Sequence, residues 1–335
     1  YALKEVDIAL VATKQEAEHL WNERDVLMEL SKLEPAFPRA NRLYGTIKAE
    51  RAIYFILEFV RGAPLHEHFR RSRRKCITAD SAHDETGPGG RGFDEDRARF
   101  YCAELIEIIG ALHRMGFVYR DLKASNVMLD ARTGRIKLVD FGFAKKLCIA
   151  AETDGEAVPA LKRTRSVCGT FHAMAPEVRR LEENAAAEAA GVVVEADSEE
   201  AGYTQAVDWW SLGVLVYEML TANAPFGYRD GSRDPDSTVK ELSMGSPGTI
   251  IFPEHVSETA RAFISALLVV EPESRLGGRG CTEELRAHPW FAGFDWSRVQ
   301  LENALELVER PGRRAKPGGP PEFDRSLGEY PPSDG

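Results

Sequence analysis

The side chains best suited to chemistry lie in one short stretch, YRDLKASN at positions 119–126, directly after the apolar segment MGFV. Within it, Asp121, Lys123 and Asn126 supply an acid, a cation and an amide oxygen. A solvated turn would account for this cluster. A catalytic loop, in which these groups meet at one small substrate, would account for it equally well.

A second group that suits chemistry is Asp140, the first residue of DFG, fourteen positions after Asn126. Carboxylate and amide oxygens are hard ligands that suit a Mg²⁺ ion bound to phosphates. The segments NVMLD and RIKLVD flank the turn ARTG and predict a β-hairpin, which would bring Asp140 back to Asn126. DFG alone is a common tripeptide, so the metal site depends on this predicted hairpin.

A third candidate is an ion pair near the start of the chain. In YALKEV, strand alternation places Ala2 and Lys4 on one face, although an exposed strand lysine fits the pattern as well. Glu23 lies between Leu20 and Leu27 on the apolar face of a predicted helix. A carboxylate there is costly unless a cation meets it, and Lys4 is the natural partner.

Two more acidic residues require partners inside the protein. Glu177, in APE, and Arg275, in EPESRLGG, are predicted to form a buried pair. Asp208 begins DWWSLGVLVYEML, which is apolar nearly all round and therefore predicts a buried helix. Backbone N–H groups of the loop 119–126 are the expected donors to Asp208.

The elements that must position these groups divide the chain in two. Strands are predicted at YALKEVDIAL, RLYGTI and AIYFILEFV, around the amphipathic helix QEAEHLWNERDVLMEL. The later pattern is mostly helical and includes DEDRARFYCAELIEIIGALHRMG, with Gly116 placed to end that helix. A strand-rich small lobe followed by a helical large lobe is expected, which is an α+β fold.

Composition restricts the class of protein. The chain has 335 residues with 43% hydrophobic content, enough for a large core. A net charge of −10 argues against general nucleic-acid binding. The five cysteines contain no CxxC pair, which favours a reducing compartment. No apolar run is long enough to span a membrane, and no signal peptide precedes the first periodic segment, so a cytoplasmic protein is expected.

Taken in order, the lysine on a strand, the glutamate on a helix, YRDLKxxN, DFG, APE and DxWSLG form the protein-kinase signature set. The chain resembles a eukaryotic protein kinase over nearly its whole length. RFYCAELIEIIGALH, DFGFAKKL, SVCGT, YTQAVDWWSLGVLVYEM and HPWFAGFDW are most similar to the AGC group, especially the catalytic domains of cyclic-nucleotide-dependent (cAMP/cGMP) kinases.

The resemblance implies a bilobal kinase fold with three parts. These are a partial small lobe at 1–60, a large lobe at 61–296 and an AGC-type C-terminal tail at 297–335. Insertions are expected near 78–92, 150–163 and 181–200. The last of these is acidic. Disorder is expected there, and a partly helical structure is the alternative.

The same resemblance implies transfer of the γ-phosphoryl group of Mg·ATP to serine or threonine hydroxyls of proteins. Asp121 would be the catalytic base, and Lys123 would neutralise the transferring group. Lys4, paired with Glu23, would hold the α- and β-phosphates. Asn126 and Asp140 would hold Mg²⁺. The adenine site would comprise Ala2, the gatekeeper Leu57, Glu58, Val60 and Met128.

Regulation is implied at Ser166, in RTRSVCGT, which matches the activation-loop phosphorylation site. Its phosphate receptors would be His19, Arg120 and Lys145. An unmodified serine among basic residues is the other interpretation. An apolar spine joining the lobes is implied at Leu27, Leu43, Tyr119 and Phe141, which ordinary core packing would also explain.

The sequence departs from the family pattern in two places. No G-x-G-x-x-G precedes Lys4, which a chain fragment or a non-catalytic kinase-fold scaffold would explain. Cyclic-AMP-dependent kinases bind substrate arginines with two acidic residues, and the matching positions here are Pro64 and Ser125. A third acid of that surface is matched by Glu218. A strong preference for arginine before the target serine is therefore not expected.

The partners implied are ATP and a protein substrate, together with an upstream activating kinase or a regulatory subunit. A monomeric catalytic domain is expected, without a nucleic-acid partner or a membrane span. The basic run RRSRRK at 70–75 fits an exposed helix end, or a patch for nuclear import or an anionic partner. A small-molecule phosphotransferase of the same fold is disfavoured by the APE-like segment.

Overall fold

The computed structural model of the chain describes residues 1–11, 13–33, 37–71, 92–147, 163–190, 202–226, 228–229, 232–233 and 250–299. The first described part is a small lobe with a three-stranded antiparallel sheet in the order β1-β3-β2. Its strands are β1 (Ala2–Asp7), β2 (Leu43–Lys48) and β3 (Ala52–Leu57).

Helix α1 (Lys14–Lys32) lies between β1 and β2 in the chain. Its start is fixed by a capping box, in which Thr13 Oγ1 accepts from the Glu16 N–H and Glu16 accepts from the Thr13 N–H. The face of α1 that is buried in the core carries Leu20, Glu23 and Leu27, so the helix delivers one carboxylate into an apolar surface.

A second small sheet connects the lobes. It has the order β4-β6-β7, formed by β4 (Gly62–Pro64), β6 (Val127–Asp130) and β7 (Ile136–Leu138). Strands β6 and β7 form the predicted hairpin around ARTG. A two-stranded sheet, β5 (Phe117–Val118) with β8 (Lys145–Lys146), joins the segment before the loop 119–126 to the segment after Asp140.

The large lobe is built around two buried helices, α2 (Glu95–Arg114) and α4 (Ala206–Thr221). Helix α2 ends before Gly116, which has φ +82°, as its position in the sequence predicted. Further helices are α3 (Pro176–Ala189), α5 (Glu258–Leu267) and α6 (Thr282–Arg286). A short ribbon pairs β9 (Tyr228–Arg229) with β10 (Ser232–Arg233).

The expectation of disorder at 181–200 is wrong for its first half, because residues 181–189 belong to α3. Pro176 at the first turn and an alanine-rich sequence favour a helix there, and most of this half is exposed to solvent. Of the insertions expected near 78–92 and 150–163, residues 78–91 and 150–162 lie outside the described residues, as do residues 191–201 and the tail beyond 299.

The described residues contain no helix that is both long and apolar enough to cross a bilayer. Cys102, Cys168 and Cys281 are free thiols. Residues 72–75 of the basic run and the other two cysteines lie outside the described part of the chain.

Candidate active site

Three elements converge on Lys4, which extends from β1 into the space between the lobes. Its Nζ lies 2.8 Å from both carboxylate oxygens of Glu23 and 3.3 Å from Asp140 Oδ1. Burial lowers the pKa of Lys4, but the carboxylates of Glu23 and Asp140 outweigh it and raise the pKa. The predicted pair is therefore present, and the lysine is held in its charged form.

Lys4, Glu23 and Asp140 differ in how much of each side chain is exposed to solvent. The Glu23 side chain is 4% exposed, whereas those of Lys4 and Asp140 are 38% and 47% exposed. Glu23 therefore anchors the amine from inside the small lobe. Lys4 and Asp140 face solvent in the cleft, where an anion and a cation can reach them.

The loop 119–126 folds around Asp121. One carboxylate oxygen accepts hydrogen bonds from Asn126 Nδ2 at 2.8 Å and from Lys123 Nζ at 2.8 Å. The other accepts from Thr170 Oγ1 at 2.7 Å, and Lys123 also donates to Thr170 at 2.6 Å. An acid, a cation and a hydroxyl therefore meet within one hydrogen-bonded ring, which a solvated turn would not require.

Backbone strain accompanies this geometry. Arg120 has φ +68° and Asp140 has φ +61°, in the left-handed region that residues other than glycine rarely occupy. Such conformations cluster at functional sites because they aim particular side chains. Gly169 has φ +113°, and a Cβ there would lie 2.8 Å from the Arg120 carbonyl oxygen. Only glycine fits beside the strained loop.

Asn126 and Asp140 are brought to the same side of the cleft by the β6–β7 hairpin, as the sequence predicted. Asn126 Nδ2 donates to the Asp121 carboxylate and to its backbone carbonyl. The amide nitrogen is thus committed to Asp121, which leaves the amide oxygen for a cation. Asp140 is exposed enough to be a second oxygen ligand.

The residues expected around adenine flank the cleft at the end of the small-lobe sheet. Ala2 pairs with Leu57 in the β1–β3 register. Val60 is buried, and Met128 is half-buried on β6. The N–H of Glu58 donates to the Arg42 carbonyl oxygen at 2.8 Å, so only its own carbonyl group is available to a ligand.

The four predicted spine residues are all buried: Leu27, Leu43, Tyr119 and Phe141. The rings of Tyr119 and Phe141 meet edge to face with centroids 5.2 Å apart. The Tyr119 hydroxyl donates to the Val139 carbonyl oxygen at 2.6 Å. This contact ties the loop 119–126 to the residue just before Asp140.

Ser166 lies beside the basic residues that the sequence indicated. Arg120 Nη1 lies 2.6 Å from Ser166 Oγ, and Lys145 Nζ donates to the neighbouring Thr164 at 3.2 Å. Burial lowers the pKa of His19, and the positive charges of Arg120 and Lys145 lower it further. The three predicted receptors therefore share one electropositive region.

Tyr203 also belongs to this region, although no sequence signal pointed to it. Its hydroxyl donates to the Ser166 carbonyl oxygen at 2.5 Å and accepts from Arg120 at 2.9 Å. Burial raises the pKa of Tyr203 to about 12, so the hydroxyl stays protonated and holds the loop backbone.

Both predicted anchors of the large lobe are present. Arg275 makes two hydrogen bonds with the Glu177 carboxylate, at 2.8 and 3.0 Å. Asp208 accepts from the N–H groups of Tyr119 and Arg120 at 2.9 and 2.7 Å. Nε2 of His113, which sequence reasoning missed, lies 2.7 Å from Asp208 Oδ2, the oxygen that also accepts from Tyr119.

Glu218, which the resemblance matched to a third acid of the substrate surface, is only 14% exposed, and His172 Nε2 lies 3.7 Å from it. Burial raises the pKa of Glu218 to about 8, against the opposing charge of Arg70. Ser125 is exposed and Pro64 is half-buried. The side chains at these three positions therefore offer little negative charge to a substrate at neutral pH.

The chain belongs to the protein kinase domain family, which matches residues 1–291. It is 33% identical to the serine/threonine-protein kinase sck2 of Schizosaccharomyces pombe over 300 residues, which cover 89% of this chain and 38% of that protein. It is also 33% identical to the cAMP-dependent protein kinase catalytic subunit PRKX of Homo sapiens, over 89% of this chain and 66% of that protein.

A third relative, the serine/threonine protein kinase ypkA of Aspergillus fumigatus, is 33% identical over 93% of this chain and 39% of its own length. These relatives are consistent with the AGC group of serine/threonine kinases and with the bilobal α+β fold. The chain spans less than half the length of sck2 and ypkA.

Proposed function

We propose that the protein transfers the γ-phosphoryl group of Mg·ATP to serine or threonine hydroxyls of protein substrates. The observation that carries this proposal is that carboxylate oxygens of Glu23 and Asp140 both lie within 3.3 Å of the Lys4 amine. The hydrogen-bonded ring around Asp121 completes the cleft. Phosphoryl transfer needs little covalent chemistry from the protein, so positioned charges suffice.

The donor set fits a magnesium ion. Asn126 offers its amide oxygen and Asp140 a half-exposed carboxylate, and hard oxygen ligands of this kind suit Mg²⁺. When bound, the ion supplies charge that offsets the phosphates. Lys4 holds the α- and β-phosphates, because its amine is charged and anchored by Glu23.

The remaining steps belong to the loop 119–126. Asp121 orients the substrate hydroxyl and accepts its proton as the hydroxyl oxygen attacks the γ-phosphorus, and the bond to the β-phosphate breaks to release ADP. Lys123, already 2.8 Å from Asp121, donates to the transferring group. Thr170, which bonds to both side chains, gives up these contacts when the substrate hydroxyl takes its place.

A non-catalytic scaffold is the rival function, and activity separates the two. The assay offers Mg²⁺, γ-labelled ATP and peptide libraries with serine, threonine or tyrosine as the acceptor. Label is expected on serine and threonine peptides, and Asp121→Asn should abolish nearly all of it. No transfer by the wild-type protein, or equal transfer by Asp121→Asn, would contradict the proposal.

Phosphorylation of Ser166 is proposed to order the activation loop. A phosphate adds about −1.5 to −2 charges beside Arg120, which lies 2.6 Å from Ser166 Oγ, and near Lys145, which donates to Thr164. Ser166→Ala is expected to be less active than the phosphorylated protein. Equal activity, with unchanged protease sensitivity of the loop after phosphorylation, would contradict this role.

The substrate is proposed to be a protein without a strong requirement for arginine before its target residue. Pro64 and Ser125 carry no charge, and Glu218 is largely protonated below a pKa of about 8. An upstream kinase that modifies Ser166 is the proposed partner. Libraries with arginine at each preceding position test this, and a large arginine preference would overturn it.

A further inference from the structure

The β6–β7 hairpin, which has Asn126 and Asp140 at its two ends, is tied to the small lobe by an ion pair. Lys137 Nζ, on β7, donates to both carboxylate oxygens of Glu58 at 2.6 Å. The two side chains are only 15% and 21% exposed. Glu58 directly follows β3, so this pair joins the end of the small-lobe sheet to the hairpin.

A second ion cluster lies at the edge of the same hairpin. Glu104 of α2 is 1% exposed, and its carboxylate lies 3.4 Å from Arg39 and 3.0 Å from Arg135. It also accepts from the Ile136 N–H. Burial raises the pKa of Glu104, which both guanidinium groups oppose.

Arg39 belongs to the segment between α1 and β2, and the backbone of this segment extends the sheet of the hairpin. The Leu138 N–H donates to the Arg39 carbonyl oxygen at 2.7 Å, and the Asn41 N–H donates to the Leu138 carbonyl oxygen at 3.1 Å. The Glu104 cluster therefore holds the segment that follows α1 against the large lobe. The Phe37 N–H of that segment donates to the Leu30 carbonyl oxygen of α1, the helix that carries Glu23.

Partly buried ion pairs give little net stability, because desolvation offsets their attraction. They do restrict geometry, since each charge has few other partners within reach. Both contacts here join a small-lobe group to the hairpin that carries the proposed metal ligands. Both contacts therefore restrict the distance between the two halves of the cleft.

We propose that the Glu58–Lys137 pair and the Glu104 cluster form a two-point clamp that sets the small lobe in position for phosphoryl transfer. This inference rests on the proposed function. Lys137 and Glu104 are positioning residues, since neither is expected to touch the nucleotide. Lys137 acts through the backbone at Glu58 and therefore on the KM for ATP. Glu104 acts through α1 and therefore on kcat.

Charge exchange tests the first point of the clamp. Glu58→Lys and Lys137→Glu each place two like charges together, and the double variant restores opposite charges. Each single variant is expected to raise the KM for ATP about tenfold, and the double variant to recover to within about threefold of wild type. Arg71→Glu, which breaks an exposed pair with Glu67, is the matched control and should change KM less than about twofold.

Glu104→Gln tests the second point, with kcat expected to fall about tenfold and the KM for ATP to change less. A double exchange variant as impaired as the worse single variant would overturn the proposal. So would variants with lowered unfolding temperatures but unchanged KM and kcat per folded molecule, since the clamp would then be structural only.

These results are distinguishable from a failure of the proposed function. A wild-type protein without phosphoryl transfer would contradict that function. Calorimetry of ATP binding would still test the clamp in the wild type, in Glu58→Lys, in Lys137→Glu and in the double variant. Binding that is weakened in both single variants and restored in the double variant supports it, and unchanged binding in all of them contradicts it.

Discussion

Two buried aspartates, one within the loop 119–126 and one bonded to the backbone of that loop, differ in the kind of hydrogen-bond partner that holds them. Asp208 is fully enclosed, and two of its three partners are backbone N–H groups. Asp121 is almost as buried, but its carboxylate is held by three side chains: Lys123, Asn126 and Thr170. Backbone partners fix a shape, whereas side-chain partners can exchange for a substrate. The first acid therefore supports the loop, and the second can exchange its partners for the substrate hydroxyl of the proposed function.

The largest expected effect follows from Asp121→Asn. The amide keeps the size of the carboxylate but cannot accept the hydroxyl proton, so kcat should fall by about 10²–10⁴-fold. The free energy of unfolding should change by about 1 kcal/mol or less, because the neighbouring side chains can rearrange. Steady-state kinetics and urea unfolding of the same preparation check both values.

A second effect concerns Arg275, whose side chain is fully buried against Glu177. Arg275→Met leaves an unpaired buried carboxylate and should lower the free energy of unfolding by about 3–5 kcal/mol. Adding Glu177→Leu removes the stranded charge and should recover much of the loss. If Arg275→Met unfolds like Arg163→Met, an exposed control whose partner is Glu273, the pair is not an anchor.

Asp208→Asn provides the direct counterpart to Asp121→Asn. Its new amide group must meet the N–H groups of Tyr119 and Arg120, or the His113 ring, and one donor loses its acceptor. The free energy of unfolding should fall by about 1–3 kcal/mol. Activity per folded molecule should fall far less than in Asp121→Asn. The reverse ranking of the two variants in either measurement would contradict the comparison.

The last effect, which accumulates gradually with pH, tests a third acid, Glu218. Its pKa is raised from 4.5 to about 8 by burial, so the folded protein binds a proton that the unfolded chain releases. Wild-type stability should therefore fall relative to Glu218→Gln as pH rises from about 4.5 to about 8, by at most about 1.4 kcal/mol per pH unit. A pH-independent gap between the wild type and Glu218→Gln would refute the raised pKa.

Much of the site could be predicted because charge on an apolar face needs a partner. That argument placed Glu23 against Lys4 and Glu177 against Arg275, and both contacts are present. It also led from the buried helix α4 to backbone donors for Asp208. The hairpin between Asn126 and Asp140 followed from strand pattern and turn residues.

The same argument applies to Glu104, which lies on the buried face of α2, but its partners Arg39 and Arg135 are distant in sequence and meet it only in the folded protein. Lys137 gave no local signal, since its partner Glu58 is distant in sequence and meets it only through the packing of the lobes. The helix at 181–189 was missed because acidic composition was given more weight than alanine propensity.

The central claim is that the two halves of the cleft meet around a magnesium-bound triphosphate. Calorimetric titration of ATP, with Mg²⁺ and with a chelator, tests it most directly in the wild type and in Asp140→Asn. We expect Mg²⁺ to tighten ATP binding in the wild type and to have much less effect in the variant. Equal affinity with and without Mg²⁺ in the wild-type protein would contradict the account.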